Sequence, residues 1–358
     1  MDTSPITARS LARPYHIRGD EFERAYKDFL SGYRSWKELA HADKWLVFPR
    51  NIGPRLSIDE TSMSDGELYT IVSNKDAHCK KGALVAIVKG TKIEDVKAAL
   101  AQILWYRRAK VLEVTMDLSE SMRAIVLGVF PYARITVDRF HVQKDCYEAM
   151  QQLRVKHRRE EQRALVEARE QHRLRNKRNK AKRKKGKKDP RGRKPNRANQ
   201  KFEPERLSNG DTRCELLARS RYLLMVSSNF WTPSQKERAR LLFQLYPDMK
   251  DAYSLCHSLR MIFSNKSATT KSAHESLKEW YNKVTDFNDD NFNTGSATIY
   301  TREKEILNYF IDRQTNASAE SLNAKIKKLP STITRCRGRQ VLPVPSQPYL
   351  WLNTGFCW

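Results

Sequence analysis

Between Leu56 and Asp138 short β-like runs and helical stripes follow one another in an order with which few folds begin. LSIDET (56–61), ELYTIVS (67–73) and ALVAIVKG (83–90), separated by turn-forming SDG and SNKD, predict a three-strand meander. TKIEDVKAALAQILWY (91–106) places Ile93, Val96, Leu100, Ile103 and Leu104 on one stripe behind Thr91, which predicts a helix capped by that threonine. VLEVTMD (111–117) reads as a buried strand ending in an aspartate. ESMRAIVLGVF (120–130) reads as a second helix stopped by Pro131, and ARITVD (133–138) as a fifth strand. This βββαβαβ order predicts an α/β fold, an RNase H-like domain with helices on both faces of its sheet.

The flanks differ in character. Residues 1–54 are polar and rich in Arg, Lys and Tyr, with a helix-like stretch from Glu21 to Leu39 and Trp36, Trp45 and Pro49 as punctuation, so a short arm is expected. The first part of the core then covers 55–142. After Val142 the β pattern stops, and 143–301 predicts a helical insertion. A helix over 302–328, broken near Asn316, closes the core, and a Pro-rich, atypical tail occupies 329–358. Trp231 and Trp280 sit among helical apolar residues of the insertion, which points to the core rather than to base stacking.

Charge narrows the partners. Lys and Arg number 67 against 41 Asp and Glu, a net charge of +26, so the expected partner is a polyanion, with nucleic acid ahead of an acidic membrane surface. Residues 173–201 hold sixteen Lys/Arg and one acid, Asp189, a net +15 that predicts a disordered or partly helical loop. Lys182, Arg183, Lys184, Lys185, Lys187, Lys188, Arg191, Arg193 and Lys194 are its expected DNA contacts. Without interleaved aromatics they would track phosphate and not read bases; the competing reading is a solvated surface loop. No apolar run approaches a membrane span or a signal core, and a cytoplasmic protein is expected. The six cysteines show neither CxxC pairs nor close Cys/His spacing, so reduced structural thiols are expected.

Acids at the ends of neighbouring strands are how a sheet collects carboxylates for divalent metal. Asp59 in the first strand and Asp117 at the end of the fourth meet that condition, since the two strands are parallel neighbours in the predicted sheet. Glu320, at a helix start behind small residues in TNASAESLNAKIK, is the candidate third ligand. Two Mg²⁺ or Mn²⁺ ions on Asp59, Asp117 and Glu320 would activate a water or a 3′-hydroxyl and stabilise the leaving oxygen.

IDETSMSDGELYTIV, VTMDLSESM, FPYARITVDRFHVQK and ILNYFIDRQTNASAESLNAKIKKL resemble the DDE transposases of the bacterial ISL3 insertion-sequence family, over residues 50–328. The DRFH and TNxxxExxNxKIK blocks carry most of the specificity. The resemblance implies an RNase H-like catalytic domain interrupted by a helical insertion before the glutamate helix. It also implies metal-dependent cleavage and strand transfer of DNA by Asp59, Asp117 and Glu320. Its partners would be element ends and target DNA, with a homo-oligomer assembled on paired ends. Asp138 and His141 match a D-x-x-H motif of related transposases; a pair bracing the insertion or touching DNA and a capped helix start with a structural histidine are both open. Asn316, Asn323 and Lys327 flank the glutamate, to orient it or contact phosphate, against ordinary capping and a solvated lysine.

Two departures from the family bear on activity. Relatives begin with a zinc module and a helix-turn-helix, for which this chain has no spacing, so a separate end-binding chain is an expected partner. From Leu329 the chain leaves the family pattern. Synonymous codons allow a frame one base later to encode an amphipathic segment with a stop inside the Leu352 codon, so a frameshift near Lys328 is expected. The rivals to a transposase are a catalytically inactive or domesticated nucleic-acid-binding remnant and a simple RNase H-like nuclease.

Overall fold

The computed structural model describes residues 14–30, 36–62, 66–185, 201–313 and 315–333. The chain divides into two compact units, one comprising Met1–Val142, Thr269–Lys271 and Arg302–Trp358, the other Gln143–Ala268 and Ser272–Thr301. The first unit is mixed α/β. Its sheet has six strands, β1 (Trp45–Val47), β2 (Arg55–Ser62), β3 (Leu68–Asn74), β4 (Leu84–Lys89), β5 (Glu113–Met116) and β6 (Arg134–Val137), in the order β1-β4-β3-β2-β5-β6. Strands β2, β3 and β4 pair antiparallel; β5 runs parallel to β2, and β6 parallel to β5.

The N-terminal residues supply structure beyond an arm. After α1 (Gly19–Ala25), β1 pairs antiparallel with β4 through Trp45↔Val88, Leu46↔Ile87 and Val47↔Ala86. Three residues are too few for alternation to show, which is why pattern reading passes over this strand. The helix expected over 91–106 also differs. Helix α2 (Ile93–Leu100) has Lys92 at its N-cap with no side-chain cap, and Thr91 does not fill that role. The chain turns after Leu100 to bury Ile103 completely, and α3 (Trp105–Arg108) is a separate turn. The carbonyl of Ile103 is taken up by Arg108 Nε at 2.9 Å.

Helix α4 (Glu120–Val129) starts at Ser119, whose hydroxyl accepts the Met122 N–H at 3.4 Å. It buries Met122, Ile125, Val126 and Val129 at 3.6-residue spacing, and α2 buries Val96, Ala99 and Leu100. Both stripes lie on Leu56 and Ile58 of β2, Val72 of β3, Val88 of β4 and Val114 and Met116 of β5. Each such side chain, fully buried, contributes about 1.5–3 kcal/mol.

Helix α5 (Arg139–Lys185) begins in the first unit and continues into the second; its backbone is helical through Lys185, so the basic run is helical at least to that point. The second unit is helical among the described residues: α6 (Arg213–Arg219), α7 (Pro233–Leu245), α8 (Pro247–Ser264), α9 (Thr270–Phe287) and α10 (Asp290–Thr301) follow α5. Thr212 with Glu215 and Thr232 with Gln235 form capping boxes that start α6 and α7. Trp280 is buried and donates from Nε1 to the Leu255 carbonyl at 3.0 Å. Trp231 packs on Tyr253 with ring centroids 5.3 Å apart, and its indole N–H reaches the Leu223 carbonyl at 3.1 Å. Both are packing residues. Cys146 and Cys256 are buried free thiols, as is Cys79 in the first unit; Cys214 is free and half-buried.

The chain then returns through α11 (Glu303–Leu307), α12 (Tyr309–Asp312) and α13 (Ala317–Ile333). The interruption before α13 begins earlier than Asn316: Arg313 has φ 50°, a left-handed stop that its N–H secures on the Tyr309 carbonyl at 2.7 Å. Helix α13 covers the second sheet face. Leu322 and Ile326 pack with Tyr69, Ile71, Leu84 and Ile87, so the sheet has helices on both sides. Residues 334–358, including most of the atypical tail, lie outside the described residues.

Candidate active site

Strand pairing aligns three aspartates. The parallel register of β2 with β5 matches Ser57 to Thr115; two residues on, it sets Asp59 level with Asp117, just past the end of β5. The register of β5 with β6 matches Met116 to Val137; one residue on, it sets Asp117 level with Asp138. The Asp138 N–H bonds the Met116 carbonyl at 2.8 Å, which continues that ladder. Neighbouring strands lie about 4.8 Å apart, so Asp59, Asp117 and Asp138 form a row across three strands. Alternation places them on the face opposite Leu56, Ile58, Val114 and Met116, the face that α13 covers.

Helix α13 is tied to this row through its polar residues. The Asn323 amide donates from Nδ2 to Asp59 Oδ2 at 2.6 Å. Ser57 Oγ donates to Asn316 Oδ1 at 2.8 Å, and the Glu320 N–H donates to the Asn316 carbonyl at 2.9 Å. Asp138 accepts the backbone N–H groups of Asn316 and Phe140. Asp138 and Asn316 are each 2% exposed, so the bonds between them are shielded from water. Asn323 is also buried, and its Oδ1 is left without a hydrogen-bond partner. Lys327 is exposed on α13.

The electrostatics are those of crowded acids. Burial raises the Asp59 pKa, and the neighbouring Asp117 charge raises it further; the Glu60 N–H, His141 and Asn323 pull the other way. Glu320 is raised by burial, then by Asp138 and Asp59, and lowered by His141. Asp138 is raised by burial and lowered first by His141. Glu320 itself is exposed at the start of α13. None of the four carboxylates has an ion pair with Lys or Arg among the described residues.

An oxygen-rich site whose acids lack direct ion pairs among the described residues fits a hard divalent cation. Among the described residues no group of three or more His, Cys, Asp or Glu side chains stands close enough to hold a metal ion.

Three residues were missed by sequence reasoning. Ser57 lies two residues before Asp59 on the same face, a signal that period-2 alternation carries. Glu60, whose pKa is raised by burial and then by Asp117 and Asp59, adjoins the site. Lys75 is buried beside Thr115 and Glu113, and nothing in its local sequence marks it. Of the proposed DNA contacts, Lys182, Arg183, Lys184 and Lys185 lie on the helical backbone at the end of α5, whereas Lys187, Lys188, Arg191, Arg193 and Lys194 lie outside the described residues.

A family model for ISL3-type DDE transposases, described as "Transposase", matches residues 56–339. The match takes in β2 to β6, the second unit and α13, and it continues past Lys328. No curated protein and no solved structure matches the chain.

Proposed function

This chain belongs to the ISL3 family of DDE transposases, and from that membership we propose that it cuts DNA at the ends of an insertion sequence and joins the freed 3′-hydroxyl to target DNA. Transposases act on DNA, and DDE transposases generally use divalent metal ions. The finer reading is a six-stranded RNase H-like core with Asp59, Asp117 and Glu320 as the catalytic carboxylates and two Mg²⁺ or Mn²⁺ ions as cofactor. The observation that carries it is the register that sets Asp59 level with Asp117, beneath the helix bearing Glu320.

The bound ions would polarise the scissile phosphate and lower the pKa of the attacking water or hydroxyl. The protein's part is to hold the acids in place before the DNA arrives. Asn323 fixes one oxygen of Asp59, and Ser119 N–H fixes Asp117 Oδ1 at 3.2 Å. Asp138 anchors the start of α13 through Asn316. In strand transfer the 3′-oxygen bonds to a target phosphorus while the bond from that phosphorus to the target's 3′-oxygen breaks, so one phosphodiester replaces another. A basic run at and beyond the end of α5 would add affinity for phosphate without reading sequence. Assembly as a homo-oligomer on paired ends belongs to the same reading.

Asp59→Asn, Asp117→Asn and Glu320→Gln are expected to lower metal-dependent cleavage of DNA carrying the element ends by about a hundred- to a thousandfold, as loss of a transition-state-stabilising group does. Binding of the same DNA in chelator is expected to persist. Cleavage at the wild-type rate by any one variant removes that residue from the site. A wild-type protein that binds DNA and never cuts it, with either metal, would favour the inactive remnant.

A further inference from the structure

Below the aspartate row lies a buried cation that no step above uses. Lys75 follows β3 and is 5% exposed. Its Nζ donates to Thr115 Oγ1 at 2.5 Å and lies 3.8 Å from Glu113 Oε1. Glu113, Thr115 and Asp117 alternate along β5, so both partners of the ammonium share the face on which Asp117 emerges. Glu113 is itself held from the other side by Arg134 Nη2 at 3.5 Å, and Arg134 also pairs with Asp312.

A buried ammonium costs several kcal/mol to desolvate and persists only where its partners compensate for it. Burial lowers the Lys75 pKa, while Glu113 and, more weakly, Asp138 support its charge. The ammonium therefore reaches the site through Thr115 on β5, two residues before Asp117.

We propose that Lys75 is a positioning residue for the metal site: its buried ammonium, seated on Thr115 and Glu113, fixes the end of β5 under Asp117. The proposal rests on the Asp59, Asp117 and Glu320 reading given above. It has a sign that separates it from simple electrostatics, because removing a nearby positive charge should tighten cation binding, whereas losing a positioning group should weaken it.

The test is Mn²⁺ titration of the full-length protein by electron paramagnetic resonance, with thermal melting alongside. Lys75→Met should melt lower, because it leaves Glu113 with one cation fewer. Lys75→Met/Glu113→Gln removes both charges and should recover the melting temperature while Mn²⁺ binding stays about tenfold weaker, the scale typical of residues that orient metal ligands. Thr115→Val, which removes only the hydroxyl seat, should weaken Mn²⁺ in the same direction. Wild-type or tighter Mn²⁺ affinity in the double variant, or unchanged affinity in Thr115→Val, overturns the proposal. A wild-type protein that binds no Mn²⁺, or whose binding survives Asp59→Asn/Asp117→Asn, overturns the metal reading and this proposal with it.

Discussion

Asp59 shows what it costs a residue to stand ready for a cation. Its carboxylate is desolvated by the sheet and by α13 and repelled by Asp117, so its folded-state pKa lies above the ordinary aspartate value. Linkage then has a definite sign. The folded state holds that proton more tightly than the unfolded chain, so stability from Asp59 is fully present below the unfolded pKa and is lost as pH rises through the folded one. Glu320 and Glu60, also raised, contribute in the same direction. In chelator, the melting temperature is therefore expected to carry a component that falls as pH climbs through the carboxylate range. Mg²⁺ should restore it at neutral pH in the wild type and much less in Asp59→Asn. Equal Mg²⁺ responses in the two proteins would show that Asp59 is no ligand. The alignment of Asp59 with Asp117 was legible from strand order, since Asp117 ends an apolar run and Asp59 lies inside the neighbouring strand. The face of Ser57 was legible by alternation but its partner 259 residues away was not, and Lys75 was not, because a buried lysine is defined by a partner 40 residues away.

At the scale of the element, α13 has two duties on one face. Leu322 and Ile326 seal the apolar end of the sheet, while Asn323, and Asn316 just before the helix, bond Asp59 and Ser57. Forming the helix therefore also places Glu320, the proposed third ligand. Ile326→Ala is expected to destabilise the protein by about 2–5 kcal/mol. It should also lower cleavage at temperatures well below melting, since the helix that carries Glu320 is then less firmly seated. Denaturant melting beside a cleavage assay checks this, and full activity at wild-type Mg²⁺ would separate the two duties. The strands β2 to β6 and the helix α4 were readable from their apolar runs and from Pro131 as a stop. The edge strand β1 was not, and neither was the break between α2 and α3, where burying Ile103 overrides a continuous helical stripe.

For the whole molecule, charge is the dominant property. Residues 173–201 contribute a net +15 of the +26. Affinity that comes from such a run falls with salt, because each neutralised phosphate releases counterions. Changing Lys182, Arg183, Lys184, Lys185, Lys187 and Lys188 to Gln should weaken binding to all duplex sequences alike. The slope of log affinity against log salt should become shallower by about 0.9 for each phosphate that is no longer neutralised. Fluorescence anisotropy across a salt series measures it, and an unchanged slope would remove this run from the DNA-binding surface. No described helix is long and apolar enough to cross a membrane.

The two halves of the acidic site are far apart in time as well as in sequence. Asp117 and Glu320 are separated by 203 residues, and a ribosome adding about 5–20 residues per second needs roughly 10–40 s to cover that distance. Throughout that interval the nascent sheet holds Asp59 and Asp117 without their glutamate and exposes Tyr69, Ile71, Leu84 and Ile87 where α13 will lie. A chain broken off before Ala317 thus lacks the third proposed ligand and is prone to stick, so the order of synthesis withholds the proposed chemistry until the sheet is covered.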